Sequence, residues 1–340
     1  MIYAQLPAEG DHTGRPLPFY LAMEEWLARR PGHESYFFMW QVDPTVICGR
    51  HQDVELETDL GFCRSHGIRV VRRKSGGGCV YADRNNIMMS YITPSADVVT
   101  TFAEYTSGVA AMLRSIGLDA TADTSRNDIM ISGRKVSGNA FYHLPGRSIV
   151  HGTMLYDADL ATMTGAITPS RAKLQSKGVK SVESRITTVR EHSTIGLEEF
   201  KRAVRDSLCG DRTLVLTQAD VAGIETMEQE YYAPEWLFRR RGRRDAGRRI
   251  EGVGEIRPGI ITGADGLIER VELSGDFFAL TDPETALLGC LTGIKPTPDA
   301  IAAALEGADT AACIPGLTAA ELTAIICGSL PESPRSVGSE

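Results

Sequence analysis

Three consecutive glycines, Gly76, Gly77 and Gly78, follow two arginines, a lysine and a serine in the segment 71–81. An apolar β-branched run leads into them, which is typical of a strand that ends in a loop approached closely by a ligand. Unhindered glycine amides bind anions, and the Arg73 guanidinium adds a planar, permanent cation suited to phosphate. The segment therefore predicts a phosphate-binding loop, with a simple glycine-rich hairpin turn as the alternative reading. It is not a Walker loop, because no Gly-Lys-Ser/Thr follows at the required spacing.

Three shorter motifs lie further along the chain. They are Arg126-Asn127-Asp128, Lys135-Val136-Ser137-Gly138 and His151-Gly152-Thr153. Each alone is weak, because a lysine beside a glycine in a strand is usually a solvated edge charge. A lone histidine is likewise more often a hydrogen-bonded structural residue than a ligand. The order and spacing of all four motifs together form a pattern that chance rarely assembles.

The joint pattern resembles the lipoate–protein ligase A family. That family carries Arg-Arg-x-Ser-Gly-Gly-Gly, Arg-Asn-Asp, Lys-hydrophobic-Ser-Gly and His-Gly-Thr, which stand here at Arg72–Gly78, Arg126–Asp128, Lys135–Gly138 and His151–Thr153. Two later segments, Lys177–Thr187 and Pro234–Trp236, also look like family segments. The resemblance thus covers essentially the whole chain.

The resemblance implies a two-step reaction. Lipoate and MgATP first give lipoyl-adenylate and pyrophosphate, and the lipoyl group then moves to a lysine of an acceptor domain. The implied acceptors are the lipoyl domains of 2-oxo-acid dehydrogenase E2 subunits and the glycine-cleavage H protein. Such a reaction brings two anions together, so its site needs cations and amide donors placed where charge develops.

The resemblance also implies roles for individual residues. Lys135 would act as an electrostatic catalyst between the lipoyl carbonyl and the α-phosphate, not as a covalent nucleophile. The implied ATP and lipoyl-adenylate contacts are Arg73, Ser75, Gly76, Gly77, Gly78, Cys79, Val80, Tyr81, Asn86, Asn127, Asp128, Lys135, Ser137, Ala140, His151, Gly152 and Thr153. Asp128 is the candidate magnesium contact, although the ion is expected to be held mainly by phosphates.

The dithiolane end of lipoate needs an apolar slot. Candidate lining residues are Ile68–Val71, Val80 and the aromatic run Tyr36–Trp40, most of which also suit ordinary core packing. The chain departs from the family after the glycines. Ala82 stands where a histidine is common, and Asn85 stands where a glycine is common.

The positions of the cysteines help to distinguish the ligase from related enzymes. An ATP-independent octanoyl or lipoyl transferase of the same fold uses a cysteine, generally downstream of the lysine segment, yet none lies between Cys79 and Cys209. We interpret Cys79 as a small pocket-lining residue, since no histidine is adjacent to activate its thiol. Biotin–protein ligase is related in fold, but its glycine motif has a different sequence, similar to Gly-Arg-Gly. A non-catalytic lipoate-binding protein is disfavoured because the cationic residues are all present.

The bulk composition sets broader limits. The 340 residues carry a net charge of −8, which gives no general attraction to nucleic acid or to an anionic membrane. No apolar run reaches the length of a membrane span, and no secretory segment opens the chain, so we expect a cytoplasmic protein. The seven scattered cysteines contain no C-x-x-C pair, which argues against a disulfide framework or a zinc site.

Periodicity predicts the elements that position these motifs. We expect a helix over 19–29 with Glu24 and Glu25 on its surface, and a hairpin formed by 36–42 and 45–48. Further helices are expected over 53–66, 98–116 and 197–208, and strands over 68–73, 87–92, 128–131, 135–142 and 148–156. Because many strands are joined by short turns, the pattern predicts an α+β fold: a mixed, largely antiparallel sheet with packed helices, as in the biotin/lipoyl ligase-like catalytic domain.

Composition changes near the end of this catalytic region. Residues 239–249 hold seven arginines and one acidic residue, which we interpret as a mobile basic linker. We predict a catalytic domain over 1–245 and a small C-terminal α/β accessory domain over 246–330, with strands at 259–262 and 267–273 and helices at 284–292 and 298–306. The Ser/Pro-rich tail 331–340 is expected to be disordered, and the family resemblance favours a monomer.

Overall fold

The computed structural model describes residues 1–9, 14–95, 97–123, 127–168, 185–239 and 247–330. The chain divides into two compact units. Unit 1 comprises Met1–Arg50 and Val54–Arg239, and unit 2 comprises His51–Asp53 and Arg240–Glu340.

The strands of unit 1 form two sheets. They are β1 (Ile2–Gln5), β2 (Tyr36–Trp40), β3 (Thr45–Cys48), β4 (Arg69–Arg72), β5 (Val80–Ala82), β6 (Asn86–Thr93), β7 (Ala120–Asp123), β8 (Asp128–Ile131), β9 (Arg134–Leu144), β10 (Arg147–Leu155) and β11 (Thr213–Val215). The large sheet has the order β11-β1-β2-β6-β10-β9-β8-β7. Within it β1 runs parallel to both neighbours, and the other described pairings are antiparallel. In the small sheet, β3 lies between a parallel β4 and an antiparallel β5.

The helices of unit 1 surround these sheets. They are α1 (Leu17–Ala28), α2 (Val54–Glu57), α3 (Leu60–Ser65), α4 (Val98–Ser115), α5 (Leu160–Ala166), α6 (Leu197–Cys209), α7 (Gln218–Glu228) and α8 (Pro234–Leu237), with 3₁₀ turns at Val189–Glu191 and Gln229–Tyr232. Side chains set several of their starts. Asp97 accepts a hydrogen bond from the Thr100 amide at 3.0 Å, and Asp159 accepts one from the Thr162 amide at 3.0 Å. These bonds satisfy amides that have no partner within the helix.

Two helices cover opposite faces of the large sheet. Because successive strand residues point to opposite faces, the register places Trp40, Ser90 and His151 on one face. Helix α1 lies on that face, since its Glu24 bonds to both Ser90 and His151. Helix α4 covers the other face, where Phe102 packs edge-on against Phe141. The central strands β6 and β10 are therefore buried on both faces.

Unit 2 has its own sheet and core. Its elements are the strands β12 (Arg248–Ile250), β13 (Gly254–Thr262) and β14 (Ile268–Gly275), the helices α9 (Pro283–Ala286), α10 (Pro298–Leu305), α11 (Thr310–Cys313) and α12 (Ala319–Cys327), and a 3₁₀ turn at Leu288–Leu291. The strands form an antiparallel sheet in sequence order. Fully buried Ile256, Phe277, Leu291 and Leu322 belong to its core.

The predicted α+β fold class is confirmed, with a large mixed sheet and packed helices. Strands are predicted at the right places for most of the motifs. The sequence analysis missed the strands β1, β5, β7, β11 and β12 and the helices α5, α7, α8, α11 and α12. The predicted boundary at 245 and most of the arginine-rich segment, 240–246, lie outside the described residues, as does the tail 331–340. Among the described helices, none combines the length and apolar character that a membrane crossing requires.

The predicted hairpin over 36–48 is wrong. Strand β2 pairs with β1 and β6, whereas β3 pairs with β4 and β5 in the other sheet. Both strands are almost entirely buried, so their sequences contain no polar alternation that would specify a partner. The Asp43-Pro44 turn therefore carries the chain from one sheet to the other.

The helix predicted over 53–66 is also wrong, because it is two short helices. Thr58 leaves the helix to form a bridge with Ile167, and the Asp59 side chain accepts a hydrogen bond from the Phe62 amide at 2.8 Å. The Asp59 carboxylate thus starts a new helix where periodicity suggested continuation. The helix predicted over 284–292 is likewise divided between α9 and the 3₁₀ turn.

Replacing either of two glycines of unit 1 with alanine should change the free energy of unfolding in opposite directions. A Cβ at Gly49 would lie 2.0 Å from the Gly77 carbonyl oxygen, so Gly49→Ala should lower the free energy of unfolding by about 1–3 kcal/mol. Gly108, inside α4, has ordinary contact space, so Gly108→Ala should raise it by about 0.5–1 kcal/mol. Tryptophan fluorescence during urea unfolding measures both changes, because all three tryptophans lie in unit 1. Equal effects of the two variants would contradict the close packing of Gly49.

Candidate active site

The glycine loop, residues 73–79, connects β4 to β5 in the small sheet. Gly77 has a φ of +84°, which favours glycine, and its carbonyl packs directly against Gly49. The Arg50 amide donates to the Ser75 carbonyl at 2.8 Å. The loop is therefore held against the end of β3, and the two glycines permit the close approach.

Arg73 is the first residue of the glycine loop, and its side chain is buried inside the loop. Its guanidinium donates to the Ser75 hydroxyl at 2.8 Å, to the Gly76 carbonyl at 2.6 Å and to the Gly78 carbonyl at 2.8 Å. Burial lowers its pKa to about 10, so it stays charged near neutral pH. In this conformation Arg73 shapes the loop, and direct contact with phosphate remains a prediction.

Arg72, the last residue of β4, connects the start of the glycine loop to two neighbouring segments. Its fully buried guanidinium donates to the Gly49 carbonyl at 2.8 Å and to the Leu237 carbonyl at 2.6 Å. The Trp236 indole returns a hydrogen bond to the Arg72 carbonyl at 3.0 Å. The Pro-x-Trp segment that resembled the family thus packs against the strand that delivers the glycine loop.

A chain of buried polar groups links the loop to the large sheet. The Ser75 hydroxyl lies 2.7 Å from His151 Nε2, and His151 Nδ1 lies 2.9 Å from Glu24 Oε2. The Ser75 hydroxyl accepts from Arg73 and can donate its own proton to Nε2, while the Glu24 carboxylate accepts from Nδ1–H. This relay of Ser75, His151 and Glu24 fixes the loop relative to the sheet.

Sequence reasoning missed Glu24 and placed it on the helix surface, which is wrong. Glu24 and Glu25 are 0% and 1% exposed. Glu24 accepts from Ser90 at 2.6 Å, and Glu25 accepts from the Tyr231 hydroxyl at 2.7 Å. They are the only two charged residues within α1, and charged residues in an otherwise apolar helix were the signal available.

Lys135 lies in a second cluster built on β8 and β9. Its ammonium is 2.6 Å from Asp128 Oδ1, and the guanidinium of Arg185 bonds to the other oxygen of Asp128. A Cβ at Gly138 would lie 2.5 Å from Lys135 Nζ, so the lysine side chain crosses over this glycine. The glycine of the Lys-hydrophobic-Ser-Gly motif thus leaves room for the ammonium on the His151 face of the sheet.

Arg185 reaches Asp128 because the segment after the undescribed residues 169–184 joins the edge of β9. The Lys135 amide donates to the Arg185 carbonyl at 2.9 Å, and the Thr187 amide donates to the Lys135 carbonyl at 2.8 Å. Asp128, 2% exposed on its side chain, therefore pairs with two cations. This position suits a residue that orients Lys135, and magnesium binding by Asp128 stays a prediction.

The remaining candidates fall on both faces of the sheet. The register places Gly138, Ala140, His151 and Thr153 on the α1 face, together with Asp128. By the same alternation, the predicted contacts Ser137 and Gly152 lie on the α4 face, where Gly152 is directly opposite Asn139. A Cβ at Gly152 would lie 1.9 Å from Asn139 Oδ1, and Asn139 Nδ2 donates to the Asn127 carbonyl at 3.1 Å. These residues secure the strand that carries Asp128.

Four candidates lie in or next to β5 and at the start of β6. Asn86 is fully buried and donates to the Tyr81 carbonyl at 3.3 Å, while its Oδ1 has no hydrogen-bond partner among the described residues. Burial raises the pKa of Tyr81 to about 12, which keeps the phenol neutral. Val80 and Cys79 are only partly buried, so their edge of the small sheet is open to a ligand.

The predicted apolar lining is divided between two cores. Val71, Val80 and Trp40 pack in one cluster with Tyr142 and Ile149. Ile68 and Val70 pack in a different cluster with α3 and α5. The buried Tyr142 hydroxyl has no hydrogen-bond partner among the described residues, and burial raises its pKa well above the usual value. The first cluster adjoins the relay, because Tyr142 is 6.2 Å from the His151 ring.

Within the described ranges, no group of three or more histidine, cysteine or acidic side chains could hold a metal ion. With both Asp128 oxygens paired to cations, the described residues do not fit a protein-caged magnesium ion. We therefore treat magnesium as part of the nucleotide substrate.

Comparison with known proteins identifies the relatives of this chain. The family model described as the lipoyl protein ligase A/B catalytic domain matches residues 16–209. Lipoate–protein ligase 1 of Staphylococcus aureus is 33% identical over 295 residues, covering 83% of this chain and 89% of that protein.

Solved structures show a similar fold. P. falciparum LipL1 in complex with lipoate superposes with a TM-score of 0.70 at 16% identity, covering 90% of this chain and 94% of that one. A lipoate-protein ligase A bound with ATP gives a TM-score of 0.59 at 24% identity, covering 70% of this chain and 97% of that one. At these identities the likeness supports the fold.

The relay predicts the effect of removing its hydroxyl group. Ser75→Ala leaves Arg73 Nε and His151 Nε2 without this partner inside the protein, so the free energy of unfolding should fall by about 1–3 kcal/mol. The matched exposed change Ser65→Ala should alter it by no more than about 0.5 kcal/mol. Urea unfolding followed by tryptophan fluorescence measures both, and an unaffected Ser75 variant would contradict the relay.

Proposed function

The chain belongs to the family of the lipoyl protein ligase A/B catalytic domain, and we propose that it activates lipoate with MgATP and transfers the lipoyl group to a protein lysine. As a member of this family it is a ligase enzyme. The observation that carries the proposal is the Lys135 ammonium, anchored by Asp128 over Gly138. It lies on the sheet face that also presents His151, which bonds to the glycine loop.

In the first step a lipoate carboxylate oxygen attacks the α-phosphorus of ATP, and pyrophosphate leaves to give lipoyl-adenylate. Negative charge accumulates on the α-phosphate in the transition state. Lys135 is a compact cation that can approach both the carboxylate and the phosphate, and Asp128 holds it in place before substrates arrive. A cation placed beforehand stabilises the developing charge without reorganisation during the reaction.

The glycine loop supplies the second group of donors. The Arg73 guanidinium donates to the carbonyls of Gly76 and Gly78, so these carbonyls have donors that are not loop amides. Because glycine residues have no side chain, their backbone amides permit the close approach that phosphate requires. The proposed nucleotide contacts therefore run from Ser75 to Tyr81, with Arg73 shaping their conformation.

The acyl chain of lipoate requires an apolar environment beside these charges. Val71, Val80 and Trp40 form one apolar cluster next to the relay, and we assign the dithiolane slot to this cluster. The LipL1 structure in complex with lipoate, whose fold this chain shares, supports lipoate as the acyl group. The ATP-bound relative supports ATP as the activating nucleotide.

In the second step the neutral ε-amine of an acceptor lysine attacks the lipoyl carbonyl, and AMP leaves. The amide bond forms as the mixed anhydride breaks, and the ammonium proton is released from the attacking nitrogen. In the proposed arrangement Lys135 would lie between the lipoyl carbonyl and the α-phosphate, so it could also stabilise the oxyanion formed at the carbonyl. The proposed acceptors are lipoyl domains of 2-oxo-acid dehydrogenase E2 subunits and the glycine-cleavage H protein.

The cysteine-dependent transferase is less well supported. Cys209 is buried, and burial raises its pKa to about 11, so it is a protonated and inaccessible thiol near neutral pH. Cys79 lies at the glycine loop, but its thiol approaches another cysteine, Cys48, at 3.3 Å. No described feature favours a thioester intermediate over an adenylate.

The adenylation step can be tested by isotope exchange. Wild type should exchange labelled pyrophosphate into ATP only when lipoate is present, and Lys135→Ala should reduce the rate by about 10²–10³-fold. Lys201→Ala, which removes a lysine paired with Glu198 on a helix, is the matched control and should keep the wild-type rate.

Three outcomes separate the alternatives. Absence of exchange from folded wild type, combined with lipoyl or octanoyl transfer from a carrier protein, would establish the ATP-independent transferase. Lipoate binding without either reaction would establish a non-catalytic binding protein. Exchange that survives in the Lys135 variant would remove Lys135 from its proposed role.

Gly138→Ala tests the path of the lysine side chain. The added methyl group would occupy the position of the ammonium, whose flexible end can move away, so the fold should survive while exchange falls at least about 10-fold. Gly108→Ala provides a control for a glycine far from the ammonium. Unchanged exchange in Gly138→Ala would show that Lys135 need not cross this glycine.

A further inference from the structure

Two cysteines meet beside the glycine loop. The Cys79 thiol points toward the sulfur of Cys48 across 3.3 Å. Cys48 ends β3, and Cys79 is the last residue before β5. Neither is required by the motifs that define the family resemblance, so their proximity calls for a separate explanation.

The strand register brings these cysteines together. In the antiparallel pairing of β3 with β5, Thr45 lies opposite Ala82 and Ile47 lies opposite Val80. Continuing that register by one position places Cys48 opposite Cys79. Directly opposed residues in such a pair have Cα atoms about 4.5–5.5 Å apart, within the range that a disulfide spans. A bond would require the sulfurs to approach by about 1.3 Å.

The two thiols differ in their exposure to solvent. Cys79 is partly exposed, whereas Cys48 is fully buried. The charged Arg73 guanidinium interacts electrostatically with both sulfur atoms. A nearby cation favours the thiolate, which is the reactive form of cysteine. An accessible thiol with a second thiol behind it is the arrangement found in redox-sensing cysteine pairs.

We propose that Cys48 and Cys79 form a redox-sensitive dithiol, which a peroxide converts into an intramolecular disulfide that restrains the glycine loop. The Cys79 thiolate attacks one peroxide oxygen, the O–O bond breaks, and hydroxide leaves, giving a sulfenic acid. The Cys48 sulfur then attacks the Cys79 sulfur, its proton joins the departing hydroxyl, and water leaves. The hydroxide takes up the proton that Cys79 lost on forming its thiolate. The two thiols are thus oxidised by two electrons in total, and one hydrogen peroxide is reduced to two water molecules. A dithiol such as dithiothreitol reverses the bond by exchange.

The bond would act on the proposed nucleotide site. Cys79 directly follows Gly78, whose carbonyl is bonded to Arg73, so drawing Cys79 toward β3 shifts the end of the loop. Displacements of about 1 Å in a positioning element reduce rates by up to about 10²-fold. We expect adenylation to fall at least about 10-fold on oxidation. This consequence rests on the proposed ligase function, whereas formation of the disulfide does not.

Peptide mapping tests the bond directly. The three cysteines of this region lie on separate tryptic peptides: Cys48 on 30–50, Cys63 on 51–64 and Cys79 on 75–84. The folded full chain is treated with a small excess of hydrogen peroxide, its remaining thiols are blocked, and it is digested without reductant. We expect 30–50 joined to 75–84 with the loss of two hydrogen atoms, and separation of the two peptides by dithiothreitol.

Single variants identify the partners. The cross-link should disappear in Cys48→Ala and Cys79→Ala, and persist in Cys63→Ala and in the exposed-thiol control Cys290→Ser. Cys63 is the informative neighbour because its thiol also interacts electrostatically with Cys48. A link between 30–50 and 51–64, or sulfenic and sulfinic acid on Cys79 without any cross-link, would overturn the proposal.

Pyrophosphate exchange tests the consequence, with each protein compared with its own reduced form. Oxidised wild type should lose at least about 10-fold and recover with dithiothreitol, whereas Cys48→Ala should keep its reduced rate. A complete disulfide with unchanged exchange would overturn the restraint on the loop. If reduced wild type shows no exchange, the ligase proposal fails, while the peptide map still decides whether the dithiol exists.

Discussion

A loop of glycines has no side chains with which to hold its own conformation, so the site depends on two buried guanidinium groups. Arg73 bonds to the carbonyls of Gly76 and Gly78 from inside the loop. Arg72 bonds to the carbonyls of Gly49 and Leu237, which belong to neighbouring segments of the chain. Buried charges are costly unless they are fully hydrogen-bonded, and here the backbone carbonyls provide that compensation. The same bonds that stabilise the cations therefore define the shape of the loop.

The relay extends this constraint into the large sheet. Ser75, His151 and Glu24 come from a loop, a strand and a helix, and hydrogen bonds connect them in series. The relay joins the small sheet, which carries the glycine loop, to the large sheet, which carries Lys135. The relay thus adds a directional link between the two sheets to the hydrogen bond from Asn86 to Tyr81. Directional bonds specify relative position more narrowly than apolar contact does.

In the Lys135 cluster, unlike at Arg72 and Arg73, the cation remains partly accessible to a ligand. Its side chain is 22% exposed, whereas that of its partner Asp128 is 2% exposed. Burying the carboxylate and leaving the ammonium partly accessible fixes the cation while leaving room for an anionic ligand. Arg185 balances the second oxygen of Asp128, so the carboxylate keeps both partners satisfied. Close approach again depends on a missing side chain, here at Gly138.

Local sequence is sufficient to recognise the four motifs, the family they resemble, the α+β class and the position of most strands near those motifs. These follow from local spacing, glycine chemistry and side-chain periodicity, which the chain carries at short range. The partners of β2 and β3, the burial of Glu24, the internal hydrogen bonds of Arg73 and the meeting of Cys48 with Cys79 were decided only by the tertiary structure. Each depends on which distant segment packs against the residue, and short-range patterns contain no record of that choice. A charged residue in an apolar helix, or two cysteines at the ends of neighbouring strands, acquires its chemistry only when the fold supplies its partner.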